Sequence, residues 1–165
     1  MKYIYILLIS ISCLALTGCG GGGGGDNGIT LTPQQQEFAD VVYAFATAVN
    51  DKDKERAKSF IMGDVIYNKT YGYEDFRIRL ENFIDNAENI NFQINDIGVS
   101  IKTLDTSDEL AEVRANVTIS YNTNAVINEI LEINIEKSGT GQHNKGFTMF
   151  RKYSDEISAF PPVLE

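Results

Sequence analysis

The sequence predicts a single α+β domain in which three N-terminal helices pack on an antiparallel sheet. Apolar residues recur with a helical period of about 3.6 in the first half of the chain. Near Ile90 the period changes to 2, which is typical of half-buried strands. The chain has 165 residues, and roughly 130 remain after the first thirty or so, near the commonest size for one domain.

The helices are predicted from capping residues and apolar spacing. Thr32 is expected to cap the first helix, with Pro33 at its first position and Gln35 closing a capping box. Asp53 begins a second, shorter helix that carries Phe60 and Ile61 and ends at Gly63. The apolar positions of the first and third helices are Phe38, Val41, Val42, Phe45, Ala46 and Val49, and Phe76, Leu80, Phe83, Ile84 and Ala87.

The strands are predicted from strict alternation. In the first long strand the alternation slips at Asp96, which indicates a β-bulge. The next strand contains residues 113–121, and its successor contains Ile127, Leu131, Ile133 and Ile135 on one face, with Glu129 among them. A last strand is predicted to contain Phe147, Met149 and Tyr153. The domain is placed at residues 32–155, and residues 156–165 are expected to form an irregular C-terminal tail.

The first 31 residues predict export and a lipid anchor. Residues 1–18 have a positive Lys2 and an apolar run too short to span a bilayer, as in a signal peptide. Leu16-Thr17-Gly18-Cys19 resembles the lipobox of bacterial lipoproteins, which implies cleavage before Cys19 and lipid attachment to that residue, including palmitate. Residues 19–31 contain six consecutive glycines and are expected to form a flexible tether. Gly20 rather than Asp follows the cysteine, which favours the outer membrane over the inner membrane.

Charge and cysteine content exclude several classes of function. The formal net charge is −9, so nucleic acid is not an expected partner, because phosphate binding requires clustered Lys and Arg. The two cysteines, Cys13 and Cys19, both precede the domain, and His143 is the single histidine. No metal and no cofactor are therefore expected.

The order and lengths of these elements resemble the NTF2-like superfamily, also called SnoaL-like or cystatin-like. The resemblance covers about residues 34–153. It rests on the long first helix Phe38 to Asn50, the polar break Asp51 to Asp53, the stretch Ala57 to Val65 and the sequence Tyr71-Gly72-Tyr73-Glu74. It implies a curved antiparallel sheet that forms a cone around the first helix and encloses a pocket. It implies no particular activity, because this fold hosts many functions.

The resemblance to ketosteroid isomerase, one enzyme of that superfamily, does not extend to its catalytic residues. That enzyme uses a carboxylate base and a tyrosine hydroxyl on the first helix. Phe45 stands at the position of the tyrosine, and the base position falls near Asn68 or Lys69. Tyr43 lies about 200° away around the helix from Phe45, so it cannot simply replace the missing hydroxyl.

The remaining pocket candidates are Glu129, Tyr121 and Tyr43. Glu129 is the one acid on an otherwise apolar strand face. It is either an acid inside the pocket or, if a bulge or the strand end turns it, a solvated residue. No catalytic residue is assigned. His143 lies in a polar loop, and the acidic cluster Asp105, Asp108 and Glu109 lacks the spacing of a calcium loop.

Two functional hypotheses follow. The first is a membrane-anchored binding or interaction module in the cell envelope, with an unknown protein or a small hydrophobic molecule as partner. The second is a cofactor-free lyase or isomerase that acts on a small hydrophobic molecule in the cone pocket. A homodimer through the outer face of the sheet is implied by the resemblance alone.

The lipid anchor is tested at Cys19. Cys19→Ser removes the thiol that receives the lipid, so we expect an unprocessed or soluble protein that no longer partitions into detergent. Fractionation of cells that express each form checks this. A variant that stays with the membranes at the wild-type level would contradict the anchor.

Overall fold

The computed structural model describes residues 30–67, 70–71, 73–103, 108–137, 145–153, 158–162 and 164. Three helices and six strands form one layer of helices on one sheet. The helices are α1 (Pro33–Asn50), α2 (Lys54–Ser59) and α3 (Tyr73–Asn86). The strands are β1 (Ile61–Tyr67), β2 (Thr70–Tyr71), β3 (Asn91–Thr103), β4 (Glu109–Tyr121), β5 (Ala125–Lys137) and β6 (Lys145–Lys152). The α+β class predicted from the sequence is confirmed.

The sheet has the strand order β2-β1-β6-β5-β4-β3. Neighbouring strands from β6 to β3 are antiparallel, and so is the β1–β2 pair. β1 runs parallel to β6, however, so the expected purely antiparallel sheet is wrong at this one pairing. The strands β1 and β2 also separate α2 from α3, so the helices do not form an uninterrupted N-terminal series.

The first helix begins as predicted. The Thr32 side chain accepts from the Gln35 backbone N–H at 3.3 Å, and the Gln35 side chain accepts from the Thr32 backbone N–H at 2.9 Å. This reciprocal pair satisfies two of the donors that a helix start leaves without partners. Pro33 occupies the first turn, where a missing N–H has no consequence.

The second helix is shorter than predicted. It ends at Ser59, and Ile61 is the first residue of β1 rather than part of the helix. Asp53 caps the helix by accepting from the Arg56 backbone N–H at 3.1 Å. The Phe60 carbonyl accepts from the Phe147 N–H at 2.7 Å, so pairing with β6 replaces the next helical turn.

Two bulges bend the sheet. The first lies between Ile94 and Asp96 in β3, where the sequence predicts it. The second lies between β5 and β6, where Ile135 pairs with Phe147 and Asn134 pairs with Met149. This second bulge changes the phase of β6, because an extra residue turns the following side chains to the other face. Phe150 therefore joins Phe147 in the main core, whereas Met149 does not belong to it. Tyr153, which the sequence places in this strand, lies beyond its end at Lys152.

The first helix protects the edge strand β3. Asn50 accepts from the Phe92 N–H at 2.6 Å and donates to the Phe92 carbonyl at 3.1 Å. Gln35 donates to the Val99 carbonyl at 2.8 Å. These amide side chains occupy backbone groups that would otherwise pair with a strand from another molecule. The same contacts fix the position of α1 across the inner face of the sheet.

One hydrophobic core lies between the helices and the inner face of the sheet. The predicted apolar stripes of α1 and α3 are buried in it, with Val41 half-buried at the margin. Its largest fully buried side chains are Phe38, Phe45, Phe76, Phe83, Phe147, Phe150 and Phe160. No helix in the described part of the chain is long and apolar enough to cross a membrane.

The core is tested at Phe45 in a chain that begins at Ile29, which we expect to fold cooperatively. Phe45 is fully buried, so Phe45→Ala should lower the free energy of unfolding by about 3 to 5 kcal/mol. Tyr43→Ala, on the exposed side of the same helix, should cost about 1 kcal/mol or less. Chemical denaturation of the three proteins checks both values, and a loss under about 1 kcal/mol for Phe45→Ala would contradict this core.

Candidate functional site

The inner face of the sheet is filled by phenylalanine rings. Phe45 lies at the centre of them, with ring centroids 5.1 Å from Phe147, 6.1 Å from Phe92 and 6.1 Å from Phe150. The contacts with Phe147 and Phe92 are edge-to-face, the geometry that aromatic quadrupoles favour. Phenylalanine side chains of the protein therefore occupy the interior in which the resemblance implies a pocket.

Glu129 points into this interior and is not turned to solvent. It lies on the face of β5 that also carries Ile127 and Leu131, and it is 8% exposed. Its Oε1 accepts from the Ser158 hydroxyl at 2.5 Å, and its Oε2 accepts from the Ala159 backbone N–H at 3.2 Å. Among the described residues, no Lys or Arg forms an ion pair with it.

The donors to Glu129 belong to the C-terminal tail, which continues into the core. Phe160 is fully buried and lies edge-on to Phe83 at 5.4 Å and to Phe92 at 5.2 Å. Its N–H donates to the Ser158 hydroxyl oxygen at 3.1 Å, which turns the tail back at this point. Residues 158–160 thus place a ring against the inner face of the sheet and two hydrogen-bond donors on the buried acid Glu129.

The two tyrosine candidates lie in different places. The Tyr121 ring packs edge-to-face on Phe83 at 5.2 Å, at the margin of the core. No hydrogen bond joins its hydroxyl to Glu129 within the described part of the chain. Tyr43 lies on the outer side of α1 and is 41% exposed. Partial burial and the nearby charge of Asp96 raise the pKa of Tyr43. The structure therefore does not assemble Glu129 and the tyrosines into one catalytic group.

Several other residues considered in the sequence cannot be located in the structure. Asn68, Lys69, Asp105 and His143 lie outside the described residues. Within the residues that are described, no three His, Cys, Asp or Glu side chains cluster as metal ligands would. The expectation that the chain holds no metal or cofactor stays a prediction.

A shallow hollow of about 380 Å³ lies on the sheet beside Gly98 and is open to solvent. A side chain at Gly98 would meet nothing within 4 Å. Arg114 lines the hollow and lies over the Tyr153 ring at 4.3 Å, while Glu112 pairs with Lys102 at 2.5 Å. Both charged groups of the hollow are engaged by their neighbours, and nothing in it resembles a reaction centre.

The sequence matches no family model and no curated protein. Solved structures, in contrast, match it along most of its length. The helical cell shape determining protein Pgp2 from Campylobacter jejuni has a TM-score of 0.59 and 10% identity, and the match covers 69% of this chain and 39% of that one. Bd1075 from Bdellovibrio bacteriovorus has a TM-score of 0.55 and 11% identity, over 74% of this chain and 44% of that one.

A third match identifies the fold. A putative dehydratase from the NTF2-like family of Streptomyces avermitilis has a TM-score of 0.50 and 14% identity, over 71% of this chain and 92% of that one. The domain has an NTF2-like fold. At these identities the likeness concerns the fold alone. This chain spans less than half the length of Pgp2 and of Bd1075, and nearly the whole length of the NTF2-like dehydratase.

The sequence did not predict that the C-terminal tail packs into the core and hydrogen-bonds Glu129. Phe160 and Ser158 follow the last strand and show neither helical nor strand periodicity. The available signal was chemical: a large apolar residue just before Pro161-Pro162, in a segment too short to bury it by itself.

Proposed function

We propose that this protein is a lipid-anchored binding module of the cell envelope and not an enzyme. The observation that carries the proposal is the occupied interior of the sheet. A cone enzyme without a cofactor needs an acid or base within reach of its substrate. Glu129, the acid in that interior, already accepts hydrogen bonds from Ser158 and Ala159 of the same chain.

The location is proposed from the leader and lipobox. Lipid chains on Cys19 would hold the protein on a membrane, since each buried methylene contributes about 0.8 kcal/mol. Gly20 after that cysteine supports the outer membrane. The glycines that follow would let the domain move around its anchor and reach partners near the membrane.

Two of the structural matches support a modular role. Pgp2 is described as a helical cell shape determining protein, and the match covers 39% of its length. Bd1075 is likewise covered over only 44% of its length. A fold of this kind therefore occurs as one part of longer chains, which is consistent with a unit that binds rather than one that acts alone.

The binding surface that we propose lies on the outer face of β3, β4 and β5 and is here called the amide face. It is the part of that outer face near the turn between β4 and β5. Its residues are uncharged: Asn91, Gln93, Asn95, Asn116, Thr118, Ser120, Val126, Asn128 and Ile130. The charged residues Asp96, Arg114 and Glu132 border it on the same face. A hydrogen-bonded ladder crosses it, because Asn95 donates to Thr118 at 3.0 Å and Thr118 donates to Asn128 at 2.8 Å. Val126 and Ile130 are 55% and 44% exposed on the same face.

The partner that best fits the amide face is a second copy of this chain. The full sequence carries a formal net charge of −9, and cleavage before Cys19 would also remove Lys2, so two copies repel each other over most of their surfaces. An uncharged patch with two exposed aliphatic side chains minimises that repulsion. A two-fold dimer would place each patch against its own counterpart.

The alternative function is a cofactor-free lyase or isomerase with a small hydrophobic substrate. Two observations favour it: Glu129 is buried and inward-facing, and one structural match is a putative dehydratase. This function requires displacement of the tail, because Ser158 and Phe160 occupy the space next to Glu129 that the substrate would need. Turnover that Glu129→Gln abolishes in a folded protein would replace the binding proposal with this one.

The dimer is tested by a charge placed on the amide face. Ile130→Lys puts a positive charge on each of the two facing patches, so we expect a dimeric wild-type chain and a monomeric variant. Sedimentation equilibrium of the full chain in density-matched detergent checks this. Ile78→Lys is the matched control, because Ile78 is 52% exposed on α3 and lies away from that face. A monomeric wild type, or equal association of all three proteins, would contradict the proposal.

A further inference from the structure

The tail segment Ser158-Ala159-Phe160 is arranged as a bound ligand would be. Its ring lies among four other rings, with centroids 5.2 Å from Phe92, 5.4 Å from Phe83, 5.9 Å from Phe150 and 6.4 Å from Phe45. Its polar part reaches the two oxygens of Glu129 through one O–H and one N–H. The phenylalanine rings of the site thus hold the aromatic ring of the tail, and Glu129 holds its hydrogen-bond donors.

The tail gives Glu129 hydrogen bonds but no compensating positive charge. A carboxylate withdrawn from water is stabilised most by a cation that also donates hydrogen bonds. The two donors that the tail provides, at Ser158 and Ala159, are neutral. The ion pairs of the described residues do not include Glu129, so no side chain among them supplies the charge.

The rest of the site is apolar. Glu129 lies between Ile127 and Leu131 on its strand face, and the rings that surround Phe160 carry no polar atoms. A molecule that replaces the tail therefore needs one aromatic ring and one compact cationic donor. An ammonium group fits the second requirement, because it has three donors and a full positive charge.

We infer that the inner face of the sheet is a binding site for small aromatic amines, in which residues 158–160 are the built-in competitor. The ring of the amine takes the place of Phe160, and its ammonium takes the places of the Ser158 hydroxyl and the Ala159 N–H on Glu129. No covalent step is involved. This site lies on the opposite face of the sheet from the amide face, so the two proposals stand or fall separately.

The tail lowers the apparent affinity because it must leave before the amine can enter. The apparent affinity is reduced by the fraction of molecules in which the tail is displaced. Phe160→Ala removes the competing ring and leaves a cavity lined by other phenylalanines. Apolar cavities of that kind remain dry and accept a benzene-sized molecule.

The test compares two probes of nearly equal shape, 2-phenylethylammonium and 2-phenylethanol, on the full chain in detergent. Isothermal titration of the Phe160→Ala variant should show the amine binding about tenfold more tightly than the alcohol, as expected for a charged over a neutral hydrogen bond. The double variant Phe160→Ala with Glu129→Gln keeps the shape and removes the charge, so this preference should disappear. It also corrects for uptake of the probes by the micelles.

Either of two results would overturn the site: a folded Phe160→Ala variant that binds both probes equally or not at all, or a preference that survives Glu129→Gln. If Phe160→Ala does not fold, Ser158→Ala decides the question. It removes one donor from Glu129 and keeps the ring, so amine binding should strengthen severalfold over wild type because the tail is held less firmly. Unchanged or weaker binding by a folded Ser158→Ala variant would equally overturn the proposal.

Discussion

The fold depends on one dense contact between phenylalanine rings around Phe45. This residue lies on α1 and touches rings from β3, β6, the end of α2 and the tail. Each such pair contributes about 0.5 to 1.5 kcal/mol beyond the burial of its area. Because the rings come from distant parts of the chain, their packing fixes how the helix crosses the sheet. The packed rings also fill the interior of the sheet, so they leave no space there for a ligand unless a side chain moves.

Glu129 is tolerated in this interior only because the tail supplies its hydrogen bonds. A buried carboxylate without partners is strongly destabilising. Ser158 and Ala159 provide two donors, and Phe160 anchors the segment that carries them among the rings. The polar contact and the aromatic contact therefore stabilise each other. This coupling links the fold to the proposed functions, since any ligand of the interior must replace both contacts together.

Local chemistry made much of the fold predictable, and long-range packing accounts for the errors. The capping box at Thr32 and the bulge at Asp96 depend on neighbouring residues, so the sequence reveals them. Ile61 continues a helical stripe in the sequence, but pairing with Phe147 of β6 places it in a strand. The inward position of Glu129 follows from strict alternation along β5, whereas its partners come from a tail without periodicity. The outer-membrane anchor and the dimer remain predictions.

The measurement that tests the occupied interior most directly is residue-resolved hydrogen exchange of the Ala159 and Phe160 amides by NMR. Both N–H groups are hydrogen-bonded, one to Glu129 and one to the Ser158 hydroxyl. We predict that they exchange far more slowly than in an unfolded chain, and that Glu129→Gln accelerates both. Exchange of both amides at the unfolded rate in the wild-type protein would contradict the account, because the tail would then lie outside the fold.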